Sequence, residues 1–213
     1  MTEIFFADDH EVVRRGIRGL LEAHGGWHIC GEAATGREAV ARALELQPDI
    51  VILDIAMPEM NGLEAARRIR HAASTSSILV LTVHEVDDLA RDLVEAGVRG
   101  YLLKSDAGRM LVDAVAALVN HRTFFSTDMR EVLGGPEEYG RRRGGSPGAR
   151  LTGREREVLQ LLAEGKSNKE VGTALRITTK TAETHRARLM AKLDVHSIAQ
   201  LVRYAIRNQI VDA

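Results

Sequence analysis

Two hydrophobic patterns divide this sequence. Through the first 120 residues, short apolar runs alternate with amphipathic stretches, and these runs are EIFFA, HICGE, IVILD, SILVLT and GYLLK. Continuous apolar runs are typical of strands that are buried on both faces of a sheet, and each run is followed by a helical pattern. The region is therefore predicted to be an α/β domain with a doubly wound, five-stranded parallel sheet.

From residue 151 onward, apolar positions recur at the helical period of 3.6. The sequences TGRE from 152 and SNKE from 167 have the S/T-x-x-E spacing of a capping box, so helices are predicted to begin at these positions. A third helix is predicted from 178 or 179 to about 193, and a fourth from 197 to 208. Four short helices make a small all-α module.

The stretch between the two patterns is predicted to be a linker. Residues 134–150, GGPEEYGRRRGGSPGAR, contain six Gly and two Pro without an apolar period. Residues 126–133 are predicted to form one short helix before it. The expected organisation is an α/β domain over 1–120, a short helix and linker over 121–150, and a helical domain over 151–213.

Charge differs between the same regions. Residues 1–133 contain 14 basic and 21 acidic residues, whereas residues 151–213 contain 11 basic and 7 acidic residues. An acidic first part joined to a basic second part predicts a polyanionic partner for the second part only.

Features of secreted and membrane proteins are missing from the sequence. The single cysteine, Cys30, excludes an internal disulfide, and the start MTEIFF lacks the pattern of a signal peptide. No apolar run approaches the ~18 residues of a membrane span. We therefore expect a cytoplasmic protein with no membrane partner.

Three carboxylates follow predicted strands: Asp8 and Asp9 come after the first, and Asp54 comes after the third. Ligands of parallel α/β sheets bind at the carboxyl ends of the strands, where these like charges would converge. A hard cation would compensate them, and Mg²⁺ suits such a set of oxygen ligands. For Asp8 and Asp9 alone, a helix-capping pair is the competing interpretation.

Two further side chains are predicted at the same edge, because Thr82 ends the fourth strand and Lys104 ends the fifth. A carboxylate flanked by a cation, a hydroxyl and an ammonium has what a phosphoryl group needs, since phosphoryl transfer depends mostly on positioning and charge neutralisation.

The segments ADDH, DIAMPEMNG, LT and GYLLK together resemble the receiver domain of two-component response regulators, which has a flavodoxin-like fold. The resemblance implies that Asp54 accepts a phosphoryl group from a sensor histidine kinase. It also implies that Asp8, Asp9, Asp54 and the Ala56 carbonyl surround Mg²⁺.

The same resemblance implies that Lys104 pairs with the phosphoryl oxygens while Thr82 and Tyr101 change position as a switch. For Tyr101, a packed aromatic at the sheet edge is the alternative. Many receivers have a proline after this lysine, in a cis peptide, whereas Ser105 follows Lys104 here. A cis bond at this position is left open, because it costs ~3 kcal/mol before a residue other than proline.

Residues 151–193 resemble the LuxR-type helix-turn-helix of the NarL/FixJ response regulators. On the third helix, Ala182, His185, Leu189 and Leu193 recur at helical spacing and are predicted to face the core. The remaining face can enter the major groove of promoter DNA, and a solvated basic face is the alternative. The predicted DNA contacts are Lys180, Thr181, Glu183, Thr184, His185, Ala187 and Arg188. For His185, a packed or phosphate-contacting role is favoured over metal binding, because no Cys or second His lies at ligand spacing.

The sequence thus predicts a DNA-binding transcription regulator that is switched by phosphorylation and is not an enzyme. A Mg²⁺-dependent phosphatase with Asp54 as nucleophile is an alternative, but such enzymes commonly have a second carboxylate at the position of Ala56. A transcription factor that works without phosphorylation is the other alternative, and the intact acidic pocket argues against it.

A homodimer is expected on phosphorylation, because one helix-turn-helix module contacts too little DNA to select a genomic site. The fourth helix carries an apolar stripe that can close the core of the module, contact a partner, or both. The stripe consists of Ile198, Leu201, Val202, Ala205 and Ile206.

Overall fold

The computed structural model describes residues 1–72, 75–83, 90–125, 151–208 and 210–211. The helix predicted at 126–133 and the linker predicted at 134–150 lie outside the described residues.

The first part of the chain forms one parallel sheet of five strands in the order β2-β1-β3-β4-β5. The strands are β1 (Thr2–Ala7), β2 (Trp27–Ala33), β3 (Ile50–Asp54), β4 (Ser77–Thr82) and β5 (Gly100–Leu103). Every residue of β3 and β4 is buried, as their continuous apolar sequences predict. The predicted doubly wound α/β fold is confirmed.

Helices cover both faces of this sheet. They are α1 (Glu11–Glu22), α2 (Gly36–Leu46), α3 (Gly62–His71), α4 (Ala90–Glu95) and α5 (Ala107–Val119). Side chains alternate along β1, so Phe5 packs in one apolar cluster with residues of α2, α3 and α4. Its neighbours Ile4 and Phe6 pack in the other cluster, with residues of α1 and α5.

Four helices with a separate core follow residue 151. They are α6 (Gly153–Ala163), α7 (Asn168–Leu175), α8 (Thr179–Lys192) and α9 (Ile198–Arg207). Thr152 and Ser167 form the two predicted capping boxes, and Thr178 caps α8. The core contains the predicted Ala182 and Leu189, whereas His185 and Leu193 are half-buried.

Two local findings complete the fold. No peptide bond among the described residues is cis, so the bond between Lys104 and Ser105 is trans. Among the same residues, no helix is both long enough and apolar enough to cross a membrane.

Candidate functional site

The strand order places the carboxylates of the first and third strands side by side. Ala7 is paired with Leu53 in the register of β1 and β3, so the residues that follow them, Asp8 and Asp54, meet at the carboxyl edge of the sheet. Their exposed fractions are 1% and 2%, and Asp8 Oδ1 accepts a hydrogen bond of 2.9 Å from the backbone N–H of His10. Asp8 is thus held by the start of α1.

Lys104 reaches both buried carboxylates from the end of β5. Its Nζ lies 2.7 Å from Asp54 Oδ2 and 2.8 Å from Asp8 Oδ2. Burial raises the pKa of the Asp54 carboxyl, and the hydrogen bond and positive charge of Lys104 oppose this rise. Burial lowers the pKa of Lys104, but its hydrogen bonds with Asp54 and Asp8 outweigh that effect and leave the pKa raised, so the ammonium stays protonated.

Asp9 and His10 complete an acidic cluster at the solvent side of the pocket. The Asp9 side chain is 33% exposed, and His10 Nδ1 lies 2.7 Å from Asp9 Oδ1. One ligand atom from each of Asp8, Asp9, His10 and Asp54 lies within 4.8 Å of the others, close enough together to hold a metal ion. The set fits a hard divalent cation, because three of its four ligand atoms are carboxylate oxygens, which such a cation prefers.

His10 is the member of this cluster that sequence reasoning missed. It directly follows the two aspartates in ADDH, and that adjacency was the signal that could have identified it. The predicted ligand Ala56 lies in the loop after β3, and its N–H donates a hydrogen bond to the Asp54 carboxylate. The role of its carbonyl as a metal ligand stays a prediction.

The predicted switch residues lie on one face of the sheet, beside the pocket. Thr82 ends β4 and is 1% exposed, while Tyr101 on β5 is 2% exposed and belongs to the apolar cluster under α2, α3 and α4. Tyr101 pairs with Val80, two residues before Thr82, so both side chains project from the same face. Tyr101 is an interior residue, although β5 is an edge strand.

The helix predicted to read DNA presents its polar face to solvent. Thr178 Oγ1 accepts the N–H of Thr181 at 3.1 Å, which fixes the start of α8, and the turn before it contains Arg176 in a left-handed conformation. His185 is half-buried on this helix. The other predicted contacts are all exposed: Lys180, Thr181, Glu183, Thr184, Ala187 and Arg188.

A buried aspartate with a lysine and an acidic cluster at a sheet edge, together with a capped helix whose polar face is open, is the combination that the sequence predicts for a response regulator. Residues 4–116 match the response regulator receiver domain, and residues 149–205 match the bacterial regulatory proteins of the luxR family. The chain belongs to the response regulators that combine these two domains, and it is a transcription regulator of the two-component class.

Relatives match over the whole chain. The chain is 39% identical to the transcriptional regulatory protein LiaR of Bacillus subtilis over 213 residues, which is 100% of both proteins. It is 35% identical to the response regulator protein VraR of Staphylococcus aureus over 209 residues, which is 98% of both.

Solved structures of RcsB from Salmonella match as well. One, on conformational dynamism for DNA interaction, is 27% identical with a TM-score of 0.57 and covers 95% of this chain and 97% of that one. Another shows RcsB bound to the promoter P1flhDC in the presence of the phosphomimetic BeF3⁻; it is 26% identical with a TM-score of 0.58, and coverage is 99% of each chain.

Proposed function

We propose that Asp54 accepts a phosphoryl group from a sensor histidine kinase and that this step controls the binding of the protein to promoter DNA. The observation that carries the proposal is the buried Asp54 carboxylate, 2% exposed, with Lys104 Nζ at 2.7 Å and the acidic cluster beside it. Burial of a charged carboxylate is costly, and a reactive role explains why it is retained.

In the transfer step, one carboxylate oxygen of Asp54 attacks the phosphorus of a phosphohistidine. The phosphorus–nitrogen bond breaks, the imidazole keeps the electron pair, and an aspartyl phosphate forms. Lys104 is protonated and adjacent, so its ammonium can donate to a phosphoryl oxygen and neutralise its charge. The Thr82 hydroxyl and the Tyr101 ring lie on the neighbouring strands and are the proposed switch.

The proposed cofactor is Mg²⁺, held by Asp8, Asp9, Asp54 and the carbonyl of Ala56. When bound, Mg²⁺ supplies positive charge to the phosphoryl oxygens. Three carboxylates of one small cluster support this choice, because a hard cation prefers oxygen ligands. His10 contacts Asp9 and would orient that ligand.

We assign 1–120 to the receiver domain, 121–150 to a short helix and linker, and 151–213 to the DNA-binding domain. In this proposal α8 enters the major groove, with Arg188 and Glu183 at base edges and Lys180 at phosphate. The protein acts as a regulator rather than an enzyme, in the cytoplasm, and as a homodimer once phosphorylated. A solved structure of RcsB bound to promoter DNA supports the proposed DNA binding, because that protein is similar to this chain over 99% of its length.

The test uses purified wild type and two matched variants, Asp54→Asn and Asp49→Asn. Asp49 is a carboxylate at the opposite edge of the sheet, where it accepts a hydrogen bond from the Glu3 N–H. A radiolabelled small phosphodonor should label wild type and Asp49→Asn but not Asp54→Asn, and EDTA should abolish labelling. Equal labelling of Asp54→Asn would exclude it as the acceptor, and labelling that resists EDTA would exclude the metal.

A further inference from the structure

The side chain of Gln160, on α6, is buried against the loop that joins β3 to α3. It is 2% exposed although it belongs to the DNA-binding part of the chain. Its Oε1 accepts the backbone N–H of Asn61 at 2.7 Å, and its Nε2 donates to the Met57 carbonyl at 2.7 Å. One amide thus satisfies a backbone donor and a backbone acceptor at the two ends of a short loop.

This loop is tied to the phosphoacceptor. The Ile55 carbonyl accepts the N–H groups of Met57 at 3.1 Å and Gly62 at 2.9 Å. A Cβ atom at Gly62 would lie 1.9 Å from the Asp54 carbonyl oxygen, so only glycine allows this approach. The loop includes Ala56, whose N–H donates to the Asp54 carboxylate. Any displacement of the loop therefore changes the surroundings of Asp54.

A second contact on the same helix strengthens the docking of α6. The Glu157 carboxylate, 2% exposed, has Arg68 of α3 at 3.0 Å and Arg154 of α6 at 3.0 Å. Beside Gln160, Glu164 Oε1 accepts the Glu59 N–H at 3.1 Å. Side chains at 157, 160 and 164 thus all contact the receiver.

The docking leaves the DNA-reading face of α8 open. Lys180, Glu183 and Arg188 all remain exposed while Gln160 is buried. The contact therefore does not act by covering these side chains, and what it holds directly is the loop after Asp54.

We propose that Gln160 is a positioning residue for the phosphoacceptor pocket, through which docking of α6 holds the loop in its unphosphorylated arrangement. This inference rests on the proposed function and adds to it that the phosphoryl group and the docked helix favour different arrangements of the loop. Coupling between two binding events is reciprocal. Removal of the Gln160 hydrogen bonds should therefore make the pocket bind a phosphoryl mimic more tightly.

The experiment measures the apparent dissociation constant of beryllofluoride, at saturating Mg²⁺, on the full-length chain. Gln160→Met removes both hydrogen bonds and nearly keeps the side-chain volume, and we expect about fivefold tighter binding. The matched control is Gln200→Met, because Gln200 lies on α9 and accepts a hydrogen bond from the His196 N–H within its own domain. A variant with damaged packing would bind more weakly, so a gain of affinity separates positioning from a structural role.

Unchanged or weaker binding by Gln160→Met would overturn the inference, and so would an equal gain in Gln200→Met. If Gln160→Met does not fold, Glu157→Gln weakens the same docking through its ion pair with Arg68 and should also tighten binding. Failure of wild type to bind beryllofluoride at all would instead refute the proposed function.

Discussion

Lys104 Nζ lies 2.7 Å from Asp54 Oδ2, although the two residues are 50 positions apart in sequence. The pairing brings a protonated amine to a buried carboxyl whose pKa is raised by burial. Because Lys104 opposes that rise, the contact favours the ionised form of Asp54, which is the form that can act as a nucleophile.

A pH dependence follows from this pairing. The ionised fraction of Asp54 falls as the pH falls through its raised pKa, so labelling by a small phosphodonor should decline at a higher pH than for an aspartate with an ordinary pKa. In Lys104→Met the opposing charge is lost, the pKa rises further, and the acid limb should move to higher pH. Initial labelling rates across pH measure the shift, with circular dichroism at each pH as the control for folding. An acid limb that stays in place or moves to lower pH would contradict this pairing.

In the proposed function, the switch uses the hydroxyl of Thr82 and the ammonium of Lys104. Lys104→Ala should still be phosphorylated at neutral pH, but phosphorylation should no longer increase its affinity for DNA, because the group that contacts the phosphoryl oxygens is gone. Thr82→Val should behave in the same way, and Thr82→Ser, which keeps the hydroxyl, should retain the response. Gel-shift titrations before and after phosphorylation measure the increase in DNA affinity. If Lys104→Ala shows the same increase as wild type, Lys104 does not couple phosphorylation to DNA binding.

Local signals predicted most of the fold. The ends of β3 and β4 agree with the apolar runs, because strands buried on both faces need continuous apolar sequence. The capping boxes at Thr152 and Ser167 mark helix starts for a local reason, the orphan N–H groups of the first turn. Lys104 was placed in a strand, but it opens a 3-10 turn, Lys104–Asp106, because β5 ends at Leu103.

Contacts made across the fold could not be predicted in this way. Gln160 and Glu157 are polar residues of α6, and their spacing in the sequence does not predict that they are buried. Their burial depends on where the receiver loop and Arg68 lie in three dimensions. When the hydrogen-bond partners of a polar residue are backbone groups far away in sequence, its burial leaves no periodic pattern in the local sequence.

The metal site can be tested with one exposed ligand. Asp9→Asn removes a charge from the cluster while the buried Asp8 and Asp54 remain, so the dissociation constant for Mg²⁺ should rise at least about tenfold. Calorimetric titration gives the value. Asp49→Asn, at the far edge of the sheet, should bind Mg²⁺ like wild type. Equal affinity in Asp9→Asn and wild type would remove Asp9 from the metal site.

Two residues of α8 should affect DNA binding differently. Arg188→Ala should lose ~1–3 kcal/mol of discrimination at one base of each half-site, because an arginine can read guanine through two hydrogen bonds. Lys180→Ala should weaken binding to all sequences and reduce the salt dependence by about one phosphate contact. Binding-site selection and salt titrations separate the two effects, and Arg203→Ala on α9 is the control. If Arg188→Ala instead loses the same affinity for all DNA sequences, Arg188 contacts phosphate rather than a base.

The helix α9 suggests how two protomers pair on DNA. Leu201 and Ala205 are fully buried and close the core, whereas Ile198 is 37% exposed and Val202 and Ile206 are half-buried. Core closure thus uses only part of the apolar stripe and leaves an edge for a second copy.

We expect two protomers of phosphorylated protein per specific operator, because paired modules one helical turn apart multiply discrimination. Ile198→Asp should weaken operator binding and reduce the number of bound protomers, while the free energy of unfolding should hardly change, since the side chain is already partly in water. Sedimentation velocity of the phosphorylated protein on an operator duplex measures the stoichiometry. One protomer per specific site would refute the dimer, and an intact dimer in Ile198→Asp would move the pairing surface away from α9.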